Sequence, residues 1–257
     1  SASTDKLFMS TMSNSTVMIC LFGIIFGNYA AFSSYSQITS IPIALISILL
    51  MNKIARQMGQ KASMMAGTYG GIIGSIIITL FLVFVNPRGD ASKFAIPAFR
   101  IIRPDTWGTL FTGWSAVGLI FILLVIAWRG VQALSSSIVI TMTADCADYE
   151  VYRTGKYVPG LMGTLFSFVD KLVSSFAPMV AGVMFSMCGY TDHNPVMGDP
   201  VTPGLRGGVV FCAYGMIMIG LVCNLIAMKF YPLTKEKMEE IQDEVAQIKM
   251  KAMAENA

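Results

Sequence analysis

The stretch from residue 63 to residue 85, SMMAGTYGGIIGSIIITLFLVFV, contains no charged side chain. A helix of about 20 apolar residues is long enough to cross the hydrocarbon core of a bilayer, so this stretch predicts a membrane span. Small residues allow helices to pack closely in membranes. The small residues that predict such a contact here are Gly67, Gly70, Gly71 and Gly74. The fold class depends on how often stretches of this kind recur in the chain.

The composition of the whole chain is that of a membrane protein. Of its 257 residues, 54% are hydrophobic and 13% are charged. Soluble domains carry about 25% charged residues. The chain therefore lacks the polar surface that a water-soluble fold needs, and we predict an all-α membrane protein that crosses the bilayer several times.

Six apolar stretches are long enough to be transmembrane helices. They lie at about 7–26, 29–52, 63–85, 118–144, 160–187 and 208–231. The charged segment that follows has apolar residues at helical spacing, which indicates an amphipathic helix on the membrane or on a partner surface. These apolar residues are Met238, Ile241, Val245 and Ile248. The predicted domains are a six-helix bundle, 1–231, and a tail, 232–257.

The basic residues of the loops predict the orientation of the bundle. More of them lie on the side that carries Lys53, Arg56, Lys61, Arg153 and Lys156 than on the opposite side. By the positive-inside rule this side is cytoplasmic. We therefore predict a protein of the cell membrane with both termini of this segment in the cytoplasm.

Several functional classes find no support in the sequence. The basic residues are scattered rather than clustered, which excludes a nucleic-acid partner. The five cysteines have no CxxC spacing, and His193 is the only histidine, so we expect neither disulfides nor a metal site. No nucleophile with a base and no cofactor loop is present, so we expect neither an enzyme nor a bound cofactor.

A dense group of charges, ADCADYEVYRTGK, follows the fourth apolar stretch at residues 144–156. Asp145 and Asp148 are three residues apart and share one face of a helix, where they repel each other and oppose the helix dipole. Either this is an exposed helix end, or the two carboxylates form ion pairs that fasten helices together in one conformation. A catalytic carboxylate pair has no accompanying motif.

Three charged residues lie inside predicted spans and away from the span ends. Lys171 falls near the middle of the fifth span and Arg129 lies in the fourth. A cation at that depth costs about 2.5–3.5 kcal/mol on insertion scales, so both should face a cavity or a carboxylate. Asp170 is the one acidic residue that we place within the spans. Each cation is therefore either a structural or snorkelling residue or part of a substrate or ion site.

ADCADYEVYRTGK and the following GLMGTLFSFVDKLVSSF together resemble the glycoside–pentoside–hexuronide:cation symporters, the family of melibiose permease. The family pattern is A-D-x-x-D-Y-x-x-x-x-T-G-x-x-x-x-G, followed by S-F-x-x-K. The matching residues are Ala144, Asp145, Asp148, Tyr149, Thr154, Gly155, Gly160, Ser167, Phe168 and Lys171. The resemblance covers the whole chain but only half of such a protein.

The resemblance implies helices seven to twelve of a major facilitator fold, so we expect a fragment whose N-terminal six-helix bundle is missing. It also implies a sugar or glycoside substrate, a coupling cation (Na⁺ or H⁺), and two groups of functional residues. The expected cavity residues are Lys171, Asp170, Ser167 and Arg129. The expected cytoplasmic gate residues are Asp145, Asp148, Tyr149, Arg153, Lys156, Lys53 and Arg56. Asp170 and Arg129 depart from the family pattern.

These observations lead to one functional hypothesis and two alternatives. We expect cation-coupled symport of a sugar by alternating access between two helix bundles. The first alternative is a transporter of the same fold for a non-sugar substrate such as a lysolipid. The second is a free-standing six-helix channel or membrane scaffold.

Overall fold

Long helices make up most of the computed structural model, which describes residues 2–87, 90–94, 96, 114–155 and 159–255. The α-helices in these ranges are α1 Ala2–Met12, α2 Ser15–Met18, α3 Tyr29–Met58, α4 Gln60–Val85, α5 Ala116–Thr154, α6 Pro159–Ser175, α7 Ala177–Met187, α8 Pro203–Val210, α9 Met216–Lys229 and α10 Lys235–Glu255. Two π-helical segments, Ile19–Ile25 and Phe211–Gly215, extend α2 and join α8 to α9. A 3₁₀ helix covers Ala91–Phe94, and the described ranges contain no strand.

Five helical stretches in the described ranges are long and apolar enough to cross a membrane. They are Tyr29–Ala55, Gln60–Val85, Ala116–Thr154, Gly163–Met187 and Pro203–Lys229. A sixth span results if the bent pair Asp5–Met12 and Ser15–Ile25 is counted as one. The predicted fold class is confirmed, because the chain is an all-α protein with several membrane-spanning helices.

The first span is divided near its middle. Its two halves meet at an angle of 52°. Asn14 lies at the break, and its side chain accepts a hydrogen bond from the backbone N–H of Thr16 at 2.9 Å. Asparagine is a preferred N-cap because its oxygen satisfies an N–H at a helix start. The polar residues of the predicted span 7–26 therefore serve partly to begin a second helix.

Helix α5 continues well beyond the apolar stretch predicted at 118–144. Its start is capped by Ser115, whose hydroxyl accepts a hydrogen bond from Gly118 N–H at 2.9 Å. Its end is set by Gly155, which adopts φ +69°. Glycine adopts this left-handed conformation without strain and commonly ends helices. The charged group at 144–156 is therefore helical as far as Thr154.

Close packing of α4 on α5 depends on glycines, as the sequence predicted. A Cβ atom added to Gly74 would lie 2.6 Å from Cδ1 of Trp128. One added to Gly70 would lie 2.8 Å from Cγ1 of Val131. Cβ atoms in proteins essentially never approach another heavy atom this closely, so a side chain at either position would force α4 or α5 to shift. The prediction that this stripe allows a neighbouring helix to approach closely is confirmed.

The tail helix α10 packs against the extension of α5. Its apolar residues Met238, Ile241 and Val245 are buried in a cluster with Val151 of α5. Tyr149 and Tyr152 pack against the same cluster. The apolar face predicted from the sequence thus lies on the bundle itself, although the side chain of Ile248 is outside the described residues.

Candidate functional site

A cavity of about 440 Å³ lies between α1, α4, α5, α6 and α9, and we call it the central cavity. Its polar lining consists of Asp5, Lys6, Ser10, Ser13, Gln132, Ser135 and Asp170. The remaining lining is apolar and includes Met64 and Phe166. A largely apolar pocket with a few converging polar groups is typical of a small-molecule site.

An ion pair crosses this cavity. Lys6 Nζ on α1 lies 3.3 Å from Asp170 Oδ2 on α6. Asp170 is one of the residues predicted for a substrate or cation cavity, and the structure places it in the lining of the central cavity. The sequence suggests Lys171 or Arg129 as its partner. Its partner is instead a lysine that precedes the predicted first span.

The central cavity borders a hydrogen-bonded cluster that the sequence did not predict. Asn224 on α9 donates from Nδ2 to Asp5 Oδ2 at 2.9 Å and to Thr68 Oγ1 at 3.2 Å. Thr68 in turn donates to the carbonyl of Met64 at 2.8 Å. The signal that could have revealed this cluster is a single asparagine in an otherwise apolar span, because unpartnered amides are costly in membranes.

A second cavity, of about 500 Å³, lies between α1, α2, α3 and α5, and we call it the hydroxyl cavity. Its polar lining consists of Ser13, Ser15, Tyr29, Ser33, Ser36, Gln37, Ser40, Arg129 and Gln132. Arg129 Nη1 donates to the carbonyl of Ser36 at 3.2 Å. Ser13 and Gln132 line both cavities, so the two adjoin.

The other two expected cavity residues lie elsewhere on α6. Ser167 and Lys171 are exposed, and neither lines the central cavity or the hydroxyl cavity. Asp170 faces the cavity while the adjacent Lys171 does not, because neighbours on a helix point about 100° apart. Their predicted roles stay predictions.

The expected gate residues within the described ranges lie near the ends of α5 and α3. Asp145 is 7% exposed, and its carboxylate accepts a hydrogen bond from the side chain of Gln60. Asp148 is half-buried. Burial raises the pKa of the Tyr231 phenol, with Cys146 and Asp145 adding to the effect. This end of the bundle is thus partly shielded from water.

The structure does not join the basic gate residues to Asp145. Lys53 and Arg153 are exposed, and no basic side chain in the described part of the chain forms an ion pair with Asp145. Tyr149 packs against the α10 cluster. The side chain of Arg56, and Lys156 as a whole, lie outside the described residues.

Comparison with known proteins assigns the chain to a family. The MFS/sugar transport protein family matches residues 8–235. The chain belongs to this family. The resemblance found in the charged segment of α5 and in α6 is thereby confirmed as membership of a sugar-transporter family of the major facilitator type.

The similar curated proteins are bacterial carriers. The chain is 29% identical over 160 residues to the "Glucuronide carrier protein homolog" of Escherichia coli (strain K12), covering 61% of the chain and 33% of that protein. It is 26% identical over 223 residues to the "Putative sulfoquinovose importer" of the same strain, covering 86% and 39%. The chain thus spans about two fifths or less of these relatives. No solved structure matches it.

These relatives are named as a carrier and an importer, which agrees with the prediction that the chain is not an enzyme. Within the described residues, no three His, Cys, Asp or Glu side chains come together as a metal site.

Proposed function

We propose that the chain is the C-terminal six-helix bundle of a secondary transporter that moves an anionic sugar together with a cation. Arg129 in the hydroxyl cavity is the observation that carries this proposal. The cavity contains six hydroxyl groups, from five serines and Tyr29, together with the amides of Gln37 and Gln132. Sugars are recognised by hydrogen-bonding groups of these kinds.

Arg129 supplies the preference for an anion. Its guanidinium has five N–H donors, and the bond to the Ser36 carbonyl uses one of them. Among the described residues that line the hydroxyl cavity there is no carboxylate. A cation within a span is costly unless a partner balances it. A carboxylate or sulfonate on the substrate would accept two parallel hydrogen bonds from the guanidinium.

The names of the relatives support this substrate class. A glucuronide carries a carboxylate and sulfoquinovose carries a sulfonate, and both are sugars. These are the groups that a guanidinium in a hydroxyl-lined cavity would select. We therefore propose an acidic monosaccharide or glycoside as the substrate.

We also propose that a second six-helix bundle, the N-terminal one, covers the open side of these cavities. Large apolar side chains are exposed along α3, including Ile41, Leu45 and Leu49. Transporters of this fold bind substrate near the bilayer midplane, between two bundles that rock against each other. The location of the hydroxyl cavity beside α3 supports such an arrangement.

The gate is part of the same proposal. The end of α5 with Asp145 and Asp148 would close the cytoplasmic side of the cell membrane when the outer side is open. The excess of lysine and arginine in the loops on this side supports its cytoplasmic orientation, with both termini of this segment inside.

Uptake of a glycoside panel by the full-length protein in proteoliposomes tests the proposal. The panel compares a glucuronide and sulfoquinovose with a neutral glucoside. Na⁺ and pH gradients are imposed separately. Losing a charge-assisted hydrogen bond costs about 1.5–3 kcal/mol, so Arg129→Gln should weaken anionic-sugar uptake about ten- to a hundredfold. Arg129→Lys should keep part of the activity, because lysine retains the charge but not the planar fork.

The exposed Lys229 provides the control. Lys229→Gln removes a cation from the end of α9 without touching the hydroxyl cavity or the gate residues. Equal uptake of charged and neutral glycosides, or unchanged uptake by Arg129→Gln, would rule out the anionic-sugar site. Transport of a lysolipid, or ion conduction without sugar uptake, would favour the alternative functions.

A further inference from the structure

Two oxygen atoms in the buried cluster beside the central cavity have no hydrogen-bond partner. They are Asp5 Oδ1 and Asn224 Oδ1. Asn224 is completely buried, and both hydrogens of its amide are already donated, one to Asp5 Oδ2 and one to Thr68 Oγ1. Buried polar atoms are nearly always hydrogen-bonded, so two orphan acceptors on residues that are already joined by one hydrogen bond point to a missing donor.

The position of Asp5 Oδ1 indicates where the missing donor must lie. A Cβ atom built on Gly220, one helical turn before Asn224, would lie 3.5 Å from Asp5 Oδ1. Both carboxylate oxygens of Asp5 therefore face α9. A hydrogen atom carried by Asp5 Oδ1 and donated to Asn224 Oδ1 would satisfy both orphan oxygens.

We propose that Asp5 is a proton-binding site, in which the protonated Oδ1 donates a hydrogen bond to Asn224 Oδ1. The carboxylic acid and the amide then form a closed pair with two hydrogen bonds, Oδ1–H to Oδ1 and Nδ2–H to Oδ2. When the proton leaves, the amide-to-carboxylate bond remains and the other is lost. Protonation thus changes how tightly α1 is tied to α9.

The charges around Asp5 favour this assignment. The described lining of the central cavity carries one basic residue, Lys6, and two acidic ones, Asp5 and Asp170. Lys6 is already paired with Asp170, so an ionised Asp5 leaves the lining with one uncompensated negative charge. The titratable groups on the elements packed against α1 are Asp170 and Lys171 on α6, Cys212 and Tyr214 in the π-helical segment, and Cys223 and Lys229 on α9.

This site would make the proton the coupling ion, and in this respect it rests on the proposed function. Binding of a proton removes the uncompensated charge from a cavity that adjoins the hydroxyl cavity through Ser13 and Gln132. A pH gradient can then drive accumulation of sugar, because the protonated and the ionised cluster favour different arrangements of α1.

Infrared difference spectroscopy of the purified full-length protein tests the site without any sugar. A pH titration should reveal a protonated-carboxyl C=O band that is present in the wild type and absent in Asp5→Asn. The asparagine keeps the shape and can form an amide–amide pair with Asn224, and thermal unfolding verifies that the variant is folded. Asp192→Asn, in an exposed loop, is the matched control and should retain the band.

A transport assay then distinguishes failure of the proton-site proposal from failure of the proposed function. Accumulation driven by a pH gradient should be lost in Asp5→Asn and kept in Asp192→Asn. If the band persists in Asp5→Asn, or if this variant still accumulates sugar on a pH gradient, the proton site is refuted and sugar transport stands. Accumulation that follows only a Na⁺ gradient also refutes it. If the wild type moves no anionic sugar, the proposed function fails, while the infrared band still decides whether Asp5 binds a proton.

Discussion

Replacing Gly74 with alanine tests whether the contact between α4 and α5 is as tight as the structure indicates. The added Cβ would lie 2.6 Å from Cδ1 and 3.4 Å from Cγ of Trp128. The indole cannot simply retreat, because it is 3% exposed and its Nε1 donates to Ser75 Oγ at 2.9 Å and to the Gly71 carbonyl at 3.2 Å. Either the helices separate or these hydrogen bonds break.

The expected loss of stability follows from these contacts. Overpacking a dense core costs about 1–3 kcal/mol. A lost hydrogen bond adds about 1 kcal/mol. The higher helix propensity of alanine returns about 1 kcal/mol. The net destabilisation from Gly74→Ala is therefore about 1–3 kcal/mol, which should lower the melting temperature by several degrees.

Thermal unfolding in detergent measures this effect against a control from the same chain. A Cβ added to Gly182, within α7, meets no atom within 4 Å. Gly182→Ala should leave the melting temperature unchanged or raise it, since only the propensity gain applies. If both variants melt at the same temperature, the close contact between Gly74 and Trp128 is not a determinant of stability and the reasoning is refuted.

Three further predictions concern the ion pair, the tail and the gate. Lys6→Met and Asp170→Asn should each destabilise the protein, and the double variant should destabilise it by about 1 kcal/mol less than the sum of the two single variants. The coupling energy is no larger than this because the Lys6 side chain is 46% exposed. Strict additivity in the double-mutant cycle would contradict the pair. Ile241→Asp places a charge in the buried α10 cluster and should detach α10 from α5, because the change destabilises this contact by about 3 kcal/mol. Limited proteolysis should then cleave the tail faster than in the control Gln242→Asp, which changes an exposed residue. Equal cleavage of the two variants would contradict the packing of α10 on α5. Asp145→Asn removes the charge at the gate and should shift the full-length protein toward the inward-facing state, as cysteine accessibility reports; unchanged accessibility would contradict the gate.

Composition and hydrophobic length predicted much of the fold. The apolar stretches fixed where spans occur, since about 20 apolar residues cannot be placed in water. The glycine stripe predicted a close helix contact, and Gly74 against Trp128 shows it. Arg129 was predicted to face a cavity on the cost of burying a cation, and it lines the hydroxyl cavity. These inferences depend on local properties of the chain.

The partners of the charged groups could not be predicted, because they depend on how the helices are rotated against each other. Asp170 pairs with Lys6 across more than 160 positions of sequence rather than with its neighbour Lys171. Asp5 was placed outside the first predicted span, although it meets Asn224 of the last. A family pattern identifies residues along one segment but does not indicate which helix each side chain faces.

The π-helical segment Phe211–Gly215 determines where this chain can lose a residue without rearranging its helices. A π turn accommodates one more residue than an α turn, so it acts as a one-residue insertion within an otherwise regular helix. The wide turn absorbs this extra residue, so the parts of the helix on either side keep nearly the relative orientation that regular α-helix would give them. Deleting Ala213 should therefore restore regular helix and leave Asn224 pointing at Asp5. A one-residue deletion in the regular helix between Met216 and Asn224 has no wide turn to absorb it and would turn Asn224 about 100° away from Asp5. The same loss of one codon is thus tolerated at the π turn and not in the helix that follows it.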